Sequence, residues 1–200
     1  METRKKIPEW CSLCGGINQE LIAMTIYALG NKEPEIASSA FIHPQASVIG
    51  DVKIGKRVFI APMVSIRGDR GPIVIGDETN VQDGVVIHSD PRLTPRIGKR
   101  VNIGHNASIH SEEICDNAAI GMGAVLMLGS KVSEGVLIGN CALLHNKTET
   151  EPYTVYAGVP AKKMRELGPN DPARKAIDIY VDSYVGNAEF YPNNLRIVDR

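Results

Sequence analysis

Aromatic residues are scarce in this chain of 200 residues: they make up 5% of it, with one Trp and three Phe. A wide core built on stacked rings is thereby excluded, and the interior has to be narrow and aliphatic. No run approaches the ~20 apolar residues of a membrane span. The charges nearly cancel, 22 Lys plus Arg against 23 Asp plus Glu, so there is no field to draw nucleic acid or acidic lipid. The basic run Arg4-Lys5-Lys6 reads as a solvated tail. Four cysteines are too few for a disulfide framework in a chain this long. Cys11 and Cys14 form a single CxxC, half a zinc site at best, and read as reduced thiols. The opening residues, METRKKIPEWCSLCGG, lack the apolar core of a secretory signal and imply a cytoplasmic chain.

What the sequence does have is a repeat of six. From Ile42 an aliphatic residue returns at Val48, Ile54, Ile60 and Ile66. After three extra residues it resumes at Ile75, Val81 and Ile87, and after four more at Ile97, Ile103 and Ile109. One residue is then missing before Ile114, Ile120, Leu126, Val132, Ile138 and Leu144. Small or β-branched residues such as Ala46, Val58, Ala107, Ala124 and Ala142 stand four positions after most of these. Neither the helix period nor the strand period yields six. A solenoid of short strands with a turn in each repeat does, the aliphatic residue pointing inward. Three faces per coil give about 18 residues, and sixteen repeats give a little over five coils. The expected class is an all-β solenoid, and the pattern resembles the left-handed parallel β-helix of hexapeptide-repeat proteins. Its handedness comes with that resemblance. The expected divisions are residues 1–39 as an N-terminal segment, 40–145 as the β-helix, and 146–200 as a closing loop, C-terminal α-helix and tail. In the last part Asp171 offers an N-cap and Pro172 a first turn, and Ala173, Ile177, Tyr180, Val181 and Tyr184 recur at helical spacing. Residues 19–29 admit a short helix.

The histidines gain meaning when counted in repeats. His88 follows Ile87 and His110 follows Ile109, one full coil apart, so both point outward in one column about 5 Å apart at the backbone. Arg67 stands one coil below. His105 and, one coil below it, Asp83 form a second column on the preceding part of the coil, with Gln82 beside Asp83. Within one chain the two columns are turned apart by about one side of the prism. In a three-fold assembly of parallel prisms one chain's first column could face a neighbour's second. Three neutral imidazoles with a fourth position open suit catalytic zinc. His43 and His145 read as plain surface residues without a stacked partner.

The segments IRGDRG, NVQDGVVIH, IGHNASIH and YAGVPAKKMREL, in that order on the repeat, resemble the γ-class carbonic anhydrases over about residues 26–167. The resemblance implies reversible hydration of CO2 at the boundaries of a homotrimer. His88 and His110 of one subunit and His105 of the next would hold zinc, or iron or cobalt. Arg67 and Asp69 would pair across the boundary with Asp83 joining them, and Gln82 would orient the water on the metal. In one respect the sequence departs from that family: glutamates that carry protons away are replaced by Arg70 and by the short loop SDPRLTPR, with only Asp90. Proton export is then slow or falls to another group, for which Tyr156 is the candidate. An acyl-CoA thioesterase, a hexapeptide-repeat acyltransferase with a free histidine base, and a structural metal-binding homologue are the other readings.

Overall fold

A computed structural model of the chain describes residues 25–198. Parallel two- and three-residue strands stack into a prism of about seven coils. The third face shows the stack plainly, with Phe41–Ile42, Phe59–Ile60, Asn80–Val81, Asn102–Ile103, Ala119–Ile120, Leu137–Ile138 and Thr154–Ala157 paired in order, then closed by the antiparallel strand Lys162–Glu166. The registers align one aliphatic residue above the next: Ile60 with Val81, Val81 with Ile103, Ile103 with Ile120, Ile120 with Ile138. All of these are buried, as are the small residues Ala46, Val64, Ala107, Ala124 and Ala142 at the corners. The stack is the parallel β-helix that the repeat predicts.

The stack is longer than the regular aliphatic run. At its start Thr25–Tyr27 pairs parallel with Ser47–Ile49, putting Ile26 over Val48. This strand replaces the short helix expected over 19–29, of which residues 19–24 lie outside the described part, as do Cys11 and Cys14. At the far end the six-residue spacing continues as Leu144, Thr150 and Tyr156, with Thr150 and Tyr156 both buried. A hydroxyl and a phenol in the inward position hide the repeat from a search for aliphatics.

The three irregularities of the repeat have structural counterparts. The three extra residues after Ile66 are absorbed in the long strand Ser65–Ile75. The four after Ile87 project as a loop closed by the Asp90–Leu93 bridge. The missing residue between Ile109 and Ile114 tightens one corner, at His110-Ser111-Glu112.

The C-terminal helix, Pro172–Asn194, begins where expected: the Asp171 side chain accepts a hydrogen bond from Ala173 N at 2.9 Å. It lies along its own prism on the third face. Ile177 and Val181 pack with Ala119 and Leu137. Tyr184 and Tyr191 meet Phe59 with ring centroids 5.3 and 5.2 Å away. Tyr180, counted with the apolar stripe from its spacing, is exposed instead. Arg100 ties helix to prism, reaching Glu78 Oε2 at 2.8 Å and Asp182 Oδ1 at 2.9 Å.

Close stacking explains the glycine that follows many of the aliphatic residues. A Cβ on Gly76 would lie 2.6 Å from the carbonyl carbon and oxygen of Gly98, one coil on. Gly76→Ala should therefore lose about 1–3 kcal/mol by overpacking. Gly186→Ala, on an open part of the helix with nothing within 4 Å, should gain about 0.5–1 kcal/mol. Thermal melts of the two variants, moving in opposite directions, check this account of the coil spacing.

Candidate metal centre

The first column stands at the end of the face formed by the start of strand Ser65–Ile75 with Val86–His88, Ser108–Ile109 and Val125–Leu126. Arg67 pairs with His88 across strands Ser65–Ile75 and Val86–His88. Ile87 aligns with Ile109, which sets His110 over His88, their ring centroids 5.4 Å apart and nearly perpendicular. Asp69, two residues beyond Arg67 on the same side of the strand, accepts from the Arg67 guanidinium and has its Oδ1 2.9 Å from His88 Nε2. The resemblance implies an Arg67–Asp69 pair across a boundary; within the single chain the two are already joined. Burial pushes the Asp69 carboxyl up, but the hydrogen bonds from His88 and Arg67 outweigh it and hold the carboxyl below its ordinary value. Burial, aided by His88 and Arg67, lowers the pKa of His110, so its imidazole is neutral at pH 7.

The second column occupies the corner before the same face. His105 sits one coil above Asp83, and its Nδ1 is 3.0 Å from Asp83 Oδ2. A carboxylate on Nδ1 fixes the tautomer and leaves the Nε2 lone pair free, the arrangement usual behind a metal-ligating imidazole. Within the chain Asp83 thus serves His105. Gln82 is almost wholly buried and its Nε2 lies 3.0 Å from both Asn80 Oδ1 and Asn102 Oδ1. His105 lies in the turn before strand Ser108–Ile109 and His110 directly after that strand, at opposite ends of one side of the coil. Consistent with that, no three His, Cys, Asp or Glu side chains among the described residues come together as a metal site. The donor set itself fits a metal: a neutral His110, His88 beside it, and His105 with one nitrogen held by a carboxylate.

The proposed proton carrier Tyr156 and the short loop's one acid, Asp90, are both engaged elsewhere. Tyr156 aligns with Ile138 in the inward position and its hydroxyl accepts from Glu151 N. It plugs the end of the core three coils from Ile103, about 14 Å along the axis. Asp90 is bound by Arg92 through Nε at 2.8 Å and Nη2 at 3.2 Å, and those bonds lower its pKa to about 2. A carboxylate that stays ionised cannot relay protons near neutrality.

The coil register adds what spacing in residues concealed. Met127 stands over His110 and His145 over Met127, so His145 belongs to the His88 column, two coils past His110. Met122 likewise stands over His105. Between the two columns the outward positions are Ser65, Val86, Ser108 and Val125, an uncharged strip with Val86, Val125 and Met122 exposed. Beside His110 a cavity of about 240 Å³ is walled by Met127, Leu128 and Asn146. It adjoins another of about 580 Å³ that shares Leu128 and Asn146 and reaches Arg92, Leu93 and Lys147. The inserted loop forms one wall and the tightened corner the floor, so both indels in the repeat shape this hollow.

Residues 33–68 match the model of the bacterial transferase hexapeptide (six repeats) family. Over 146 residues the chain is 38% identical to a protein of Geobacillus kaustophilus named carbonic anhydrase, covering 73% of this chain and 80% of that one. It is 33% identical over 148 residues to the carnitine operon protein CaiE of Proteus sp., with 74% and 75% covered. Among solved structures, a candidate acetyltransferase of Bacillus cereus superposes with a TM-score of 0.81 at 35% identity, over 85% of this chain and 98% of that one. The chain belongs to the γ-carbonic-anhydrase-like group of the hexapeptide-repeat proteins.

Proposed function

We propose that this protein is a metal-dependent carbonic anhydrase of the γ type, which hydrates CO2 reversibly at the boundaries of a homotrimer. One observation carries the reading: the three histidines divide between two columns that flank one uncharged face, so that a neighbouring prism would complete each set. His88 and His110 of one chain and His105 of the next would hold the metal, zinc with iron or cobalt as alternatives. The metal, when bound, lowers the pKa of a water to about 7 and supplies hydroxide at neutral pH. Asp83 keeps His105 in the ligating tautomer. Asp69 holds His88 Nε2 in the separate chain, and a metal held through that nitrogen would take the place of this hydrogen bond. Gln82, next to Asp83, orients the attacking oxygen. Tyr156 and Asp90 are both engaged elsewhere, so hydration should be slow at low buffer and rise with added buffer. No helix among the described residues is long and apolar enough to cross a membrane, in keeping with a cytoplasmic enzyme.

The test is stopped-flow CO2 hydration on protein loaded anaerobically with zinc or iron, with metal content measured on the same samples. Activity should scale with occupancy and exceed the metal-free rate at least about tenfold, because the metal supplies hydroxide at neutral pH. Full occupancy without hydration would overturn the reading. The hollow beside His110 supports a second one, hydrolysis of a thioester. CO2 is a three-atom molecule, and a water occupies only about 30 Å³ of liquid. Thioester hydrolysis faster than hydration on the same loaded protein would favour it.

A further inference from the structure

Of the six methionines in the chain, two stand directly over histidines assigned to the metal. Met122 lies one coil above His105, and Met127 one coil above His110. Neither fills the core. Met127 follows the inward Leu126 and is half-buried, while Met122, in a corner turn, is 50% exposed. Beyond them the soft donors continue. His145 stands over Met127 in the first column. Beside the second column, Cys141 stands one coil above Gly123, the residue next to Met122. Its Sγ lies 3.3 Å from where a Cβ on Gly123 would sit, and it is an exposed free thiol.

These positions repeat the placement of the histidines. Met122 precedes and Met127 follows the strand Val125–Leu126, just as His105 and His110 bracket Ser108–Ile109. A neighbouring prism that brings its His105 to His88 and His110 therefore brings its Met122 and Cys141 to Met127 and His145. They meet one to two coils further along the axis, about 5–10 Å. No carboxylate stands in either column at this height. The next member of the second column, Asn140, accepts from Met122 N on its Oδ1 at 2.9 Å, and the strip between the columns carries Val125 and Leu143. Hard cations want oxygen anions, which are missing here. Zinc finds two of its usual donors, a thiol and an imidazole. Cu(I), which also takes thioethers, finds all four. We propose that each boundary carries a second metal site, for Cu(I), built from Met127 and His145 of one chain and Met122 and Cys141 of the next. The meeting of the two columns rests on the trimer of the carbonic anhydrase reading, while the choice of ion follows from the side chains. A copper ion there ties two chains together.

The experiment is an anaerobic Cu(I) titration of the full-length, zinc-loaded protein against the chromogenic chelator bicinchoninate. Zinc content and light-scattering mass are taken on the same samples. Cys11→Ser and Cys14→Ser are present throughout, so that the CxxC pair contributes no copper. About one Cu(I) per chain should bind, because a closed ring of three has three boundaries, and zinc should stay in place. Met127→Leu and Met122→Leu nearly conserve volume and apolarity, yet each removes one thioether. Each should weaken Cu(I) binding by at least about 100-fold, the upper end of what loss of an outer-shell partner costs a metal, with zinc content unchanged. An equimolar mixture of the two, with exchange verified by mass, should recover tight Cu(I) binding at about a quarter of the boundaries, since only one pairing in four is whole. X-ray absorption at the copper edge should show sulfur neighbours. A zinc-loaded trimer whose Cu(I) affinity is unmoved by both substitutions, or whose copper has nitrogen neighbours alone, overturns the proposal and leaves the zinc site standing. A chain that stays monomeric by light scattering overturns the trimer itself, and both metal sites with it.

Discussion

Mixing a His88→Ala chain with a His105→Ala chain is expected to restore metal sites that neither variant can form by itself. Each variant alone lacks one of three imidazoles at every boundary, so metal affinity and hydration should both collapse. A boundary is whole when a His105→Ala chain supplies the intact His88/His110 column and a His88→Ala chain supplies the intact His105. With random assembly each boundary has about a one-in-four chance of that pairing, so recovery should approach about a quarter of the native sites per closed ring. Metal content and rate should return together. The expectation follows from the register: Ile87 under Ile109 fixes one column and Val81 under Ile103 the other. Because one chain cannot bring the two together, recovery has to come from a neighbour. Absence of recovery in a mixture whose subunit exchange is verified by mass would mean that the histidines do not share a metal across chains.

The repeat was legible because the core is so narrow that each coil leaves room for one aliphatic residue per face. That regularity made coil arithmetic possible, and it placed His88 under His110 and Asp83 under His105 without coordinates. It failed where the inward residue changes type. Thr150 and Tyr156 occupy inward positions, and a search for aliphatics stops at Leu144. The same blindness made Tyr156 look available for proton transfer, when its ring fills the end of the core. His145 was dismissed because its neighbour in the column is a methionine and not a histidine. Pairings that depend on side-chain reach were the least legible. The resemblance puts Asp69 and Asp83 in one network at the boundary, and it does not reveal that within the chain each closes on its own histidine. The Asn80–Gln82–Asn102 cluster needed two adjacent coils and the covering helix to become visible. Asp90 could be found in the loop, but its capture by Arg92 could not.

Replacing Ile120 by Asp should abolish the fold, whereas Val74→Asp should be tolerated. Ile120 is 1% exposed and sits between Ile103 and Ile138 in the inward column of the third face. An aspartate there has no partner, since the neighbouring inward side chains are aliphatic. Leaving it ionised in such surroundings costs far more than a domain can supply, so the group must neutralise or the coil must open. Neutralising it still leaves a polar group unpaired and a void where the isoleucine filled the prism, each worth a few kcal/mol. The sum rivals the total stability of an ordinary domain, about 5–15 kcal/mol. Because each coil rests on the next, a breach in the middle removes the template for both halves. Val74 also lies on a strand but points outward on the second face, between Lys53 and Arg96 on the adjoining strands. An aspartate there meets two cations across strands, and its effect should stay within about 0.5 kcal/mol of wild type. Circular dichroism and thermal melts of the two variants separate inward from outward positions directly. An Ile120→Asp protein that melts cooperatively within a few degrees of wild type would show that Ile120 does not face the interior of a coil stack.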